Sequence, residues 1–146
     1  MVYPGEILVS DANKHLQLAY NAIAVANGKG SFAFGTGRAL GRESISFGGG
    51  TATEWRSVAI GGPDAIATNE YAFAQDAGRS EGYGSFTQGI YARSVGQGAH
   101  AEGYSSFAKG QASHAEGYRT KSIGEHSHSE GERTTSNGIY SHSEGG

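Results

Sequence analysis

Glycine recurs at every seventh position through the C-terminal half of this sequence, and this spacing is the strongest constraint on its fold. The unbroken series comprises Gly82, Gly89, Gly96, Gly103, Gly110, Gly117, Gly124, Gly131, Gly138 and Gly145. Towards the N-terminus it continues with small slips through Asp76, Asn69, Gly61, Gly48, Gly41 and Gly35. Because Asn and Asp tolerate positive φ better than other non-glycine residues, their presence in the series predicts turns with left-handed backbone geometry.

The series is interrupted in its N-terminal half. Slips fall at Pro63 and between Asp76 and Gly82, and residues 51–55 fit the series only by spacing, with Trp55 in the position of glycine. We interpret residues 51–55 as a bulge or an insertion. In such an irregular loop, Trp55 is the best single candidate for a protruding ligand contact.

A second column of residues, two positions before each turn residue, contains only Ala, Ser or Thr. It comprises Ala33, Ala39, Ser46, Ala59, Ala67, Ala74, Ser80, Thr87, Ser94, Ala101, Ala108, Ala115, Ser122, Ser129, Ser136 and Ser143. Because side chains alternate across a strand, a face that admits only small residues predicts a tightly closed interior. A helical heptad does not fit, since a glycine in every second turn would cost about 1 kcal/mol each. Each seven-residue unit is therefore predicted to be a short strand and a turn.

Two units make a coil of 14 residues, in which the odd-numbered and even-numbered strands differ in their outward side chains. The odd-numbered strands carry a uniform series of pairs: Phe32 and Phe34, Ile45 and Phe47, Val58 and Ile60, Phe73 and Gln75, Phe86 and Gln88, His100 and Glu102, His114 and Glu116, His128 and Glu130, and His142 and Glu144. The even-numbered strands carry mixed and charged residues. The uniform series predicts a face packed against something repetitive, whereas the mixed series predicts a solvent-exposed face.

The composition leaves such a coil without a large apolar interior. Gly supplies 25 of the 146 residues, and no leucine follows Leu40. At about 25 cal/mol per Å², methyl-sized side chains do not offset roughly 1 to 2 kcal/mol of backbone entropy per residue. The missing burial is expected on the odd-strand face, around a symmetry axis shared by identical copies. We therefore predict a homotrimer whose interface is the odd-strand series without Gln75 and Gln88.

Charge and composition also exclude several partners. The net charge is −3 and the Lys and Arg residues are scattered singly, so nucleic acid is not expected to bind. The chain has no cysteine and therefore no disulfide or thiolate metal site. No stretch approaches the roughly 20 apolar residues that span a bilayer, so membrane insertion is not expected. The N-terminus lacks a signal-peptide pattern, which predicts export without a cleaved signal or a fragment of a longer protein.

The N-terminal segment is predicted to differ from the coils. We place it at residues 1–28, and the coils at residues 29–146. An open solenoid end exposes unpaired strand edges and needs a cap. Ser10 or Asp11 can begin a short capping helix that Gly28 ends, with a mobile linker as the alternative. Apolar residues at 3/4 spacing support the helix: Leu16, Ala19, Ile23 and Ala26.

Five-residue motifs in the coils resemble those of a known family. SVAIG at residues 57–61 resembles the head repeat of YadA-type trimeric autotransporter adhesins, and SFAFG at 31–35 and SISFG at 44–48 are close variants. The resemblance, extended by the later units, covers about residues 28–146. It implies a trimeric left-handed parallel β-roll that serves as an adhesive or structural head and carries no enzymatic activity.

The later units point to phages. SHAEG at 113–117 and SHSEG at 127–131 and 141–145 are similar to the head repeats of phage tail and neck fibre proteins. The His/Glu layers, with no signal sequence or membrane anchor in the chain, depart from the autotransporter pattern. We therefore expect a stalk or head of a phage tail fibre in the virion, with other fibre proteins and a host receptor or glycan as partners. The alternative is a bacterial adhesin at the cell surface.

The histidines invite a search for chemistry. Because four His/Glu pairs recur every 14 residues, whereas an enzyme needs one shaped site, no catalytic residue and no cofactor are expected. We interpret each layer as three His and three Glu hydrogen-bonded in a ring. Carboxylate neighbours should raise the histidine pKa values, so the C-terminal layers are expected to loosen at alkaline pH. The alternative is a metal ion held by His126 and His128 of three copies.

Tyrosines mark several turns: Tyr83, Tyr91, Tyr104, Tyr118 and Tyr140. Aromatic residues at turns stack on sugars or simply cover the turns of a solenoid, and we expect the covering role. Tyr104 and Tyr118, together with Trp55, are the candidate ligand contacts. A glycan-binding solenoid remains an alternative function. An ice-binding surface is disfavoured because it would need a flat outer array of Thr or Ser.

Overall fold

A computed structural model describes residues 7–10, 15–18 and 24–146, and in these residues the chain is all-β. Its strands stack into a parallel β-solenoid of about eight coils with about 14 residues each, which confirms the predicted architecture. The strands are β1 (Ile7–Ser10), β2 (His15–Leu18), β3 (Val25–Ala26), β4 (Phe32–Gly35), β5 (Arg38–Ala39), β6 (Ile45–Gly48), β7 (Thr51–Ala52), β8 (Val58–Gly61), β9 (Ile66–Ala67), β10 (Phe73–Ser80), β11 (Phe86–Ser94), β12 (His100–Tyr104), β13 (Phe107–Ala108), β14 (His114–Tyr118), β15 (Lys121–Ser122), β16 (His128–Glu132), β17 (Thr135–Ser136) and β18 (His142–Ser143).

Each coil has a long side and a short side, and each side pairs in parallel with the same side of the next coil. The long sides pair from β2 through β4, β6, β8, β10, β11, β12, β14 and β16 to β18. The short sides pair from β3 through β5, β7 and β9, the C-terminal halves of β10 and β11, then β13 and β15, to β17. Residues at equivalent positions of successive coils therefore form ladders along the solenoid.

The coils differ slightly in length. The coil between the equivalent turn positions Gly41 and Glu54 is shorter by a single residue than the regular coil of the C-terminal half. The next coil, which contains Pro63 and ends at Asn69, is longer by a single residue. From Gly82 onwards the length is constant. The slips in the glycine series are therefore differences in coil length that the corners absorb without a break in the parallel ladder.

In the described coils the interior side chains are those of Ala, Ser and Thr, as the column of small residues predicted, and buried glycines such as Gly50 and Gly78 complete the interior. Column residues from Ala33 to Ser136 are buried, and the largest fully buried side chains in the described residues are Thr87 and Thr120. Several interior hydroxyl groups find partners inside the coil; Ser80 Oγ, for example, donates to the carbonyl oxygen of Ser85 at 2.8 Å. Ser31 Oγ has no hydrogen-bond partner among the described residues. Every large apolar side chain in residues 24–146 is consequently at least partly exposed.

The turn residues of the seven-residue series alternate between two conformations. At one corner the backbone is left-handed, with φ of 97° at Gly103 and 63° at Asp76, as predicted. At the other corner the prediction is wrong, because neither Gly110 nor Asn69 has a positive φ. Glu54 and Asn69 occupy the equivalent position in other coils, but at Gly110 glycine has a different role, since a Cβ on Gly110 would lie 2.0 Å from the backbone oxygen of Gly124 in the next coil.

Residues 51–55 form neither a bulge nor an insertion, contrary to the interpretation from sequence. β7 pairs in parallel with β5 and β9, and Ala52 is fully buried in the interior column. Glu54 rather than Trp55 occupies the position equivalent to glycine, since a Cβ on Gly41 would lie 2.0 Å from the backbone oxygen of Glu54. The error arose because the shortened coil before Glu54 moves the turn to an earlier position than the seven-residue series predicts.

The helix predicted within residues 1–28 is wrong wherever that segment is described. β2 and β3 are strands that extend the parallel ladder, with Leu16 opposite Phe32 and Val25 opposite Arg38. β1 pairs antiparallel with β2. Pairing with the first coil satisfies backbone groups of these strands and outweighs the 3/4 spacing of apolar residues. The remaining predicted helical residues, 11–14 and 19–23, lie outside the described part of the chain.

Candidate functional site

We call the outward side of the long strands the ladder face, and its N-terminal half is apolar. The predicted interface residues on this face are Phe32, Phe34, Ile45, Phe47, Val58, Ile60, Phe73, Phe86, His100, Glu102, His114, Glu116, His128, Glu130 and His142, with Glu144 directly after β18. Gln75 and Gln88 also lie on this face. Phe34 is 43% exposed and Phe47 38%. The rings of Phe73 and Phe86 stack with centroids 5.0 Å apart. The structure therefore brings the predicted interface residues onto one face, where their apolar half forms a partly exposed stripe.

Four histidines of the ladder face form one stacked column. Successive ring centroids from His100 to His142 are 4.5, 4.7 and 4.9 Å apart, with 11°, 7° and 7° between the ring planes. Phe86 closes the N-terminal end of the column with an edge contact of 4.8 Å to His100. The stacking follows from the parallel register, which places like residues one strand spacing apart.

Each of the first three histidines lies near the glutamate of its own strand without a hydrogen bond to it. The distance from Nε2 to the glutamate Oε2 is 3.4 Å in the layers of His100 and His114, and 3.9 Å in the layer of His128. Among the described residues these three Nε2 atoms have no hydrogen-bond partner, although solvent does not reach them. A buried polar atom without a partner is costly, so these nitrogens favour a partner that the single chain does not supply.

The environment of His114 lowers its pKa below the ordinary value. Burial is the largest cause, and charge on His100 and His128 acts in the same direction, while Glu116 and Glu102 oppose the shift. The prediction that carboxylates raise the histidine pKa is therefore wrong for His114, because desolvation outweighs them. Because the pKa of His114 is lowered in the folded chain, its neutral imidazole contributes stability at pH values above the unfolded pKa of about 6.5. This contribution is lost as the pH falls through the folded pKa.

His126 lies apart from the ladder face. It occupies the turn after Gly124 with φ of 54°, and its exposed ring stacks on Tyr140 at a centroid distance of 5.1 Å. The ring of His128 stacks instead between those of His114 and His142. The two rings of the His-x-His pair therefore belong to a corner and to a face, which disfavours a shared metal ion between them.

Tyr104 and Tyr118 form a second aromatic column at the corner that follows the long strands. Their rings stack at 5.3 Å, and Tyr91 contacts Tyr104 edge-on at 5.8 Å. The guanidinium groups of Arg119 and Arg133 lie 5.2 and 5.9 Å from the centre of the Tyr118 ring. Because neighbouring side chains occupy the ring faces, a sugar could stack on Tyr118 only after an arginine moves. A ligand-contact role for these tyrosines stays a prediction.

A basic groove of about 400 Å³ lies next to this tyrosine column. It is lined by Ser105, Arg119, Lys121, Arg133 and Thr135. Arg133 pairs with Glu132 at 3.0 Å, whereas within residues 24–146 neither Arg119 nor Lys121 forms an ion pair. These cations are scattered along the sequence, but Arg119 and Arg133 occupy equivalent positions in successive coils and therefore lie side by side. Their separation by a full coil was the signal that could have identified the groove.

Trp55 is half-buried in a regular turn and does not protrude. Its ring centroid is 5.3 Å from that of Tyr71, and the guanidinium of Arg56 lies 4.7 Å from the centre of the Trp55 ring. Trp55 Nε1 donates to Glu43 Oε2 at 3.3 Å, and Arg56 Nε donates to the same oxygen at 2.8 Å. The Arg56 bond, followed by the Trp55 bond, lowers the pKa of the Glu43 carboxyl. These contacts join adjacent coils, and no sequence spacing predicted them.

Comparisons with protein-family models and with curated proteins give no match to this chain. In the described segments, no helix has the length and apolar character needed to cross a membrane. The fold defines the chain as a β-solenoid repeat protein. Its ladder face, its histidine column and its basic groove are the features from which a function can be argued.

Proposed function

We propose that this chain is a trimeric structural module of a phage tail fibre or receptor-binding apparatus, a rigid stalk or head that supports host attachment. One observation carries the proposal: five of the six phenylalanines, together with Ile45, Val58 and Ile60, lie on the ladder face, outside an interior of Gly, Ala, Ser and Thr. Interior methyl groups bury little apolar surface, so the folded chain is stabilised if the stripe is covered. Identical copies offer the same stripe at the same coil spacing, and packing around an axis covers it in every copy.

The polar half of the ladder face supports the same arrangement. The Nε2 atoms of His100, His114 and His128 have no hydrogen-bond partner in the described part of the chain, while the adjacent glutamates are partly exposed on the same face. In a symmetric assembly, the glutamate of one copy can accept a hydrogen bond from the histidine of the next. Such contacts would extend the interface along the whole ladder face, from Phe32 to Glu144.

The setting in a phage rests on the repeat motifs. SHAEG and SHSEG resemble repeats of phage tail and neck fibre proteins, so we propose a location in the virion with other fibre proteins as neighbours. The head of a bacterial trimeric autotransporter adhesin, which SVAIG at residues 57–61 resembles, is the second setting and uses the same trimer. We assign no catalytic reaction to the chain, because its His/Glu layers are equivalent to one another.

A pair of aromatic-to-acid substitutions tests the interface. Phe86→Glu places a carboxylate in the apolar stripe and should abolish the trimer, because an unpaired charge would be buried there. Phe107→Glu makes the same change at a part-exposed phenylalanine on the short side, and should leave the trimer intact. Size-exclusion chromatography with light scattering measures both masses. A wild-type chain that is a folded monomer, or equal dissociation of the two variants, would contradict the proposed interface.

Host attachment requires a separate experiment. Fluorescently labelled trimer is incubated with a panel of bacterial cells, and unlabelled trimer is added as competitor. Saturable, competed binding to particular strains supports an attachment role. Binding to no strain would favour a stalk that only spaces other domains.

Glycan binding is a second candidate function, and the basic groove favours it. Arg119 and Lys121 carry charge that no described acidic side chain neutralises, so the groove suits sugars with carboxylate groups. A glycan array probed with the wild-type chain should give signals confined to acidic glycans. Arg119→Ala with Lys121→Ala should remove those signals, whereas Lys109→Ala, an exposed cation outside the groove lining, should retain them. Signals that are insensitive to the groove substitutions would exclude this function for the groove.

A further inference from the structure

The geometry points to a binding site for a divalent transition metal ion within the ladder face, formed by two stacked histidines and the glutamate beside them. The first set consists of His100, Glu102 and His114, whose ligand atoms all lie within 4.8 Å of one another. The second set repeats it one coil further on, with His114, Glu116 and His128. Two imidazoles with one carboxylate are a ligand combination that suits Zn²⁺ and leaves a position open.

The unpartnered nitrogens are an independent observation that supports a ligand. The Nε2 atoms of His100, His114 and His128 are inaccessible to solvent and make no hydrogen bond in the described chain. Each of them lies 3.4 to 3.9 Å from a carboxylate oxygen of its own strand. A metal ion between nitrogen and oxygen would use the lone pairs of both atoms, which the single chain leaves unused.

Metal binding would require a limited movement of the rings. Bonds of about 2.1 Å in tetrahedral geometry hold ligand atoms roughly 3.4 Å apart. The rings of His100 and His114 are 4.5 Å apart, so two nitrogens must approach each other by tilting. These side chains are a third or more exposed, at 37% and 33%, and can tilt without disturbing the interior. Binding should therefore break the parallel stacking of these rings.

The two sets share His114, and this sharing fixes the stoichiometry. A neutral imidazole offers one nitrogen lone pair for a metal, so only one of the two sets can be filled at a time. A third set, Glu130, His142 and Glu144, contains a single histidine and is more exposed. We therefore expect one tightly bound ion per chain at either two-histidine set, and weaker binding at the third set.

All ligands of a set come from one chain, so the site goes beyond the proposed trimer and does not rest on it. In a trimer, the ion would lie in the interface and replace the hydrogen bond from a histidine to the neighbouring copy. Sedimentation of the samples used for metal binding separates the two proposals. The metal site can fail in a chain that is trimeric, and it can hold in a chain that is not.

Calorimetric titration of the full chain with Zn²⁺ and a set of His-to-Gln variants tests the site. His114→Gln removes the shared ligand and should weaken the tight binding by at least about 100-fold, more than the 10- to 100-fold typical of residues behind the ligands. His100→Gln and His128→Gln each leave one two-histidine set intact, and should retain tight binding within a few-fold. The matched control is His126→Gln, outside the ladder face, which should bind as the wild type does.

Several results would overturn the site. They are an absence of tight Zn²⁺ binding, equal losses in the His100, His114 and His128 variants, or a loss in His126→Gln. Circular dichroism checks that each variant is folded. Should His114→Gln fail to fold, imidazole NMR resonances of the wild-type chain decide the matter. Zn²⁺ should shift those of the ladder histidines and leave that of His126 in place, and the reverse pattern would reject the site.

Discussion

Replacing Gly110 by Ala tests the close stacking of the coils. Gly110 does not have a positive φ, so alanine meets no left-handed backbone strain there. An added Cβ would lie 2.0 Å from the backbone oxygen of Gly124 and 2.5 Å from its carbonyl carbon. Real Cβ contacts essentially never fall below 3.0 Å, so the two coils must separate locally by about 1 Å.

The separation acts on the hydrogen bonds that join these coils beside Gly110. The Lys109 N–H donates to the carbonyl oxygen of Ser122 at 2.8 Å, and the His126 N–H donates to that of Gln111 at 2.8 Å. A further separation of about 1 Å takes both pairs out of hydrogen-bond range. At about 1 kcal/mol for each lost bond, and more where a freed group cannot reach water, we expect the free energy of unfolding to fall by roughly 2 to 4 kcal/mol.

Gly138→Ala is the matched control, because Gly138 occupies the same corner of the last coil. A Cβ there would meet only Ser141, at 3.6 Å, so its effect should stay within about 0.5 kcal/mol. Urea unfolding followed by circular dichroism, at one fixed chain concentration, measures both variants. Equal losses in the two variants, or no loss in Gly110→Ala, would refute the claim that contact with the next coil selects glycine at position 110.

Three further predictions concern the ladder face, the interior and the surface. The lowered pKa of His114 should make the wild type less stable on acidification, so His114→Gln should reduce the fall in unfolding free energy between neutral and mildly acidic pH. A wild type that loses stability at alkaline pH instead would contradict this. Ala101→Leu should lower the free energy of unfolding by about 1 to 3 kcal/mol or more in urea titrations, because Ala101 is fully buried among small residues. An unchanged free energy of unfolding would argue against a closed interior. Arg93→Ala should cost less than about 1 kcal/mol in the same assay, because the Arg93 side chain that pairs with Glu81 is about half exposed to solvent. A larger loss would contradict its assignment as a weak surface ion pair.

The period and the small-residue column were sufficient to predict the parallel solenoid and its interior. A glycine series and a column of Ala, Ser and Thr are both local signals, and the parallel register converts each into a ladder. The same register explains why the ladder face could be predicted as a set, from Phe32 to Glu144. Whether that face meets other copies depends on a second chain and stays a prediction.

Other features depend on contacts that a single repeat does not reveal. The N-terminal helix was predicted from apolar spacing around Leu16, but backbone pairing with β4 determined the outcome. Left-handed turns at Glu43, Arg56 and Tyr71 carry no glycine signal, since a non-glycine residue adopts positive φ when the surrounding coil holds it there. The reason for glycine at Gly110 is likewise a backbone oxygen that belongs to the next coil.

Some features of the candidate site could likewise be predicted from the sequence, and others could not. The His/Glu layers and their recurrence once in every coil could be read directly from the sequence. The pKa of His114 could not, because its direction depends on whether burial or the neighbouring carboxylates dominate. The basic groove around Arg119 was missed because its cations are separated along the chain and meet only through the coil register.

Sedimentation equilibrium of the wild-type chain asks whether identical copies cover the ladder face. We expect a particle of three chains, each of 15.1 kDa, and loss of folded structure, not release of folded single chains, on dilution below the association range. A single chain of 15.1 kDa that retains its β-sheet circular dichroism in dilute solution would show that the stripe needs no cover.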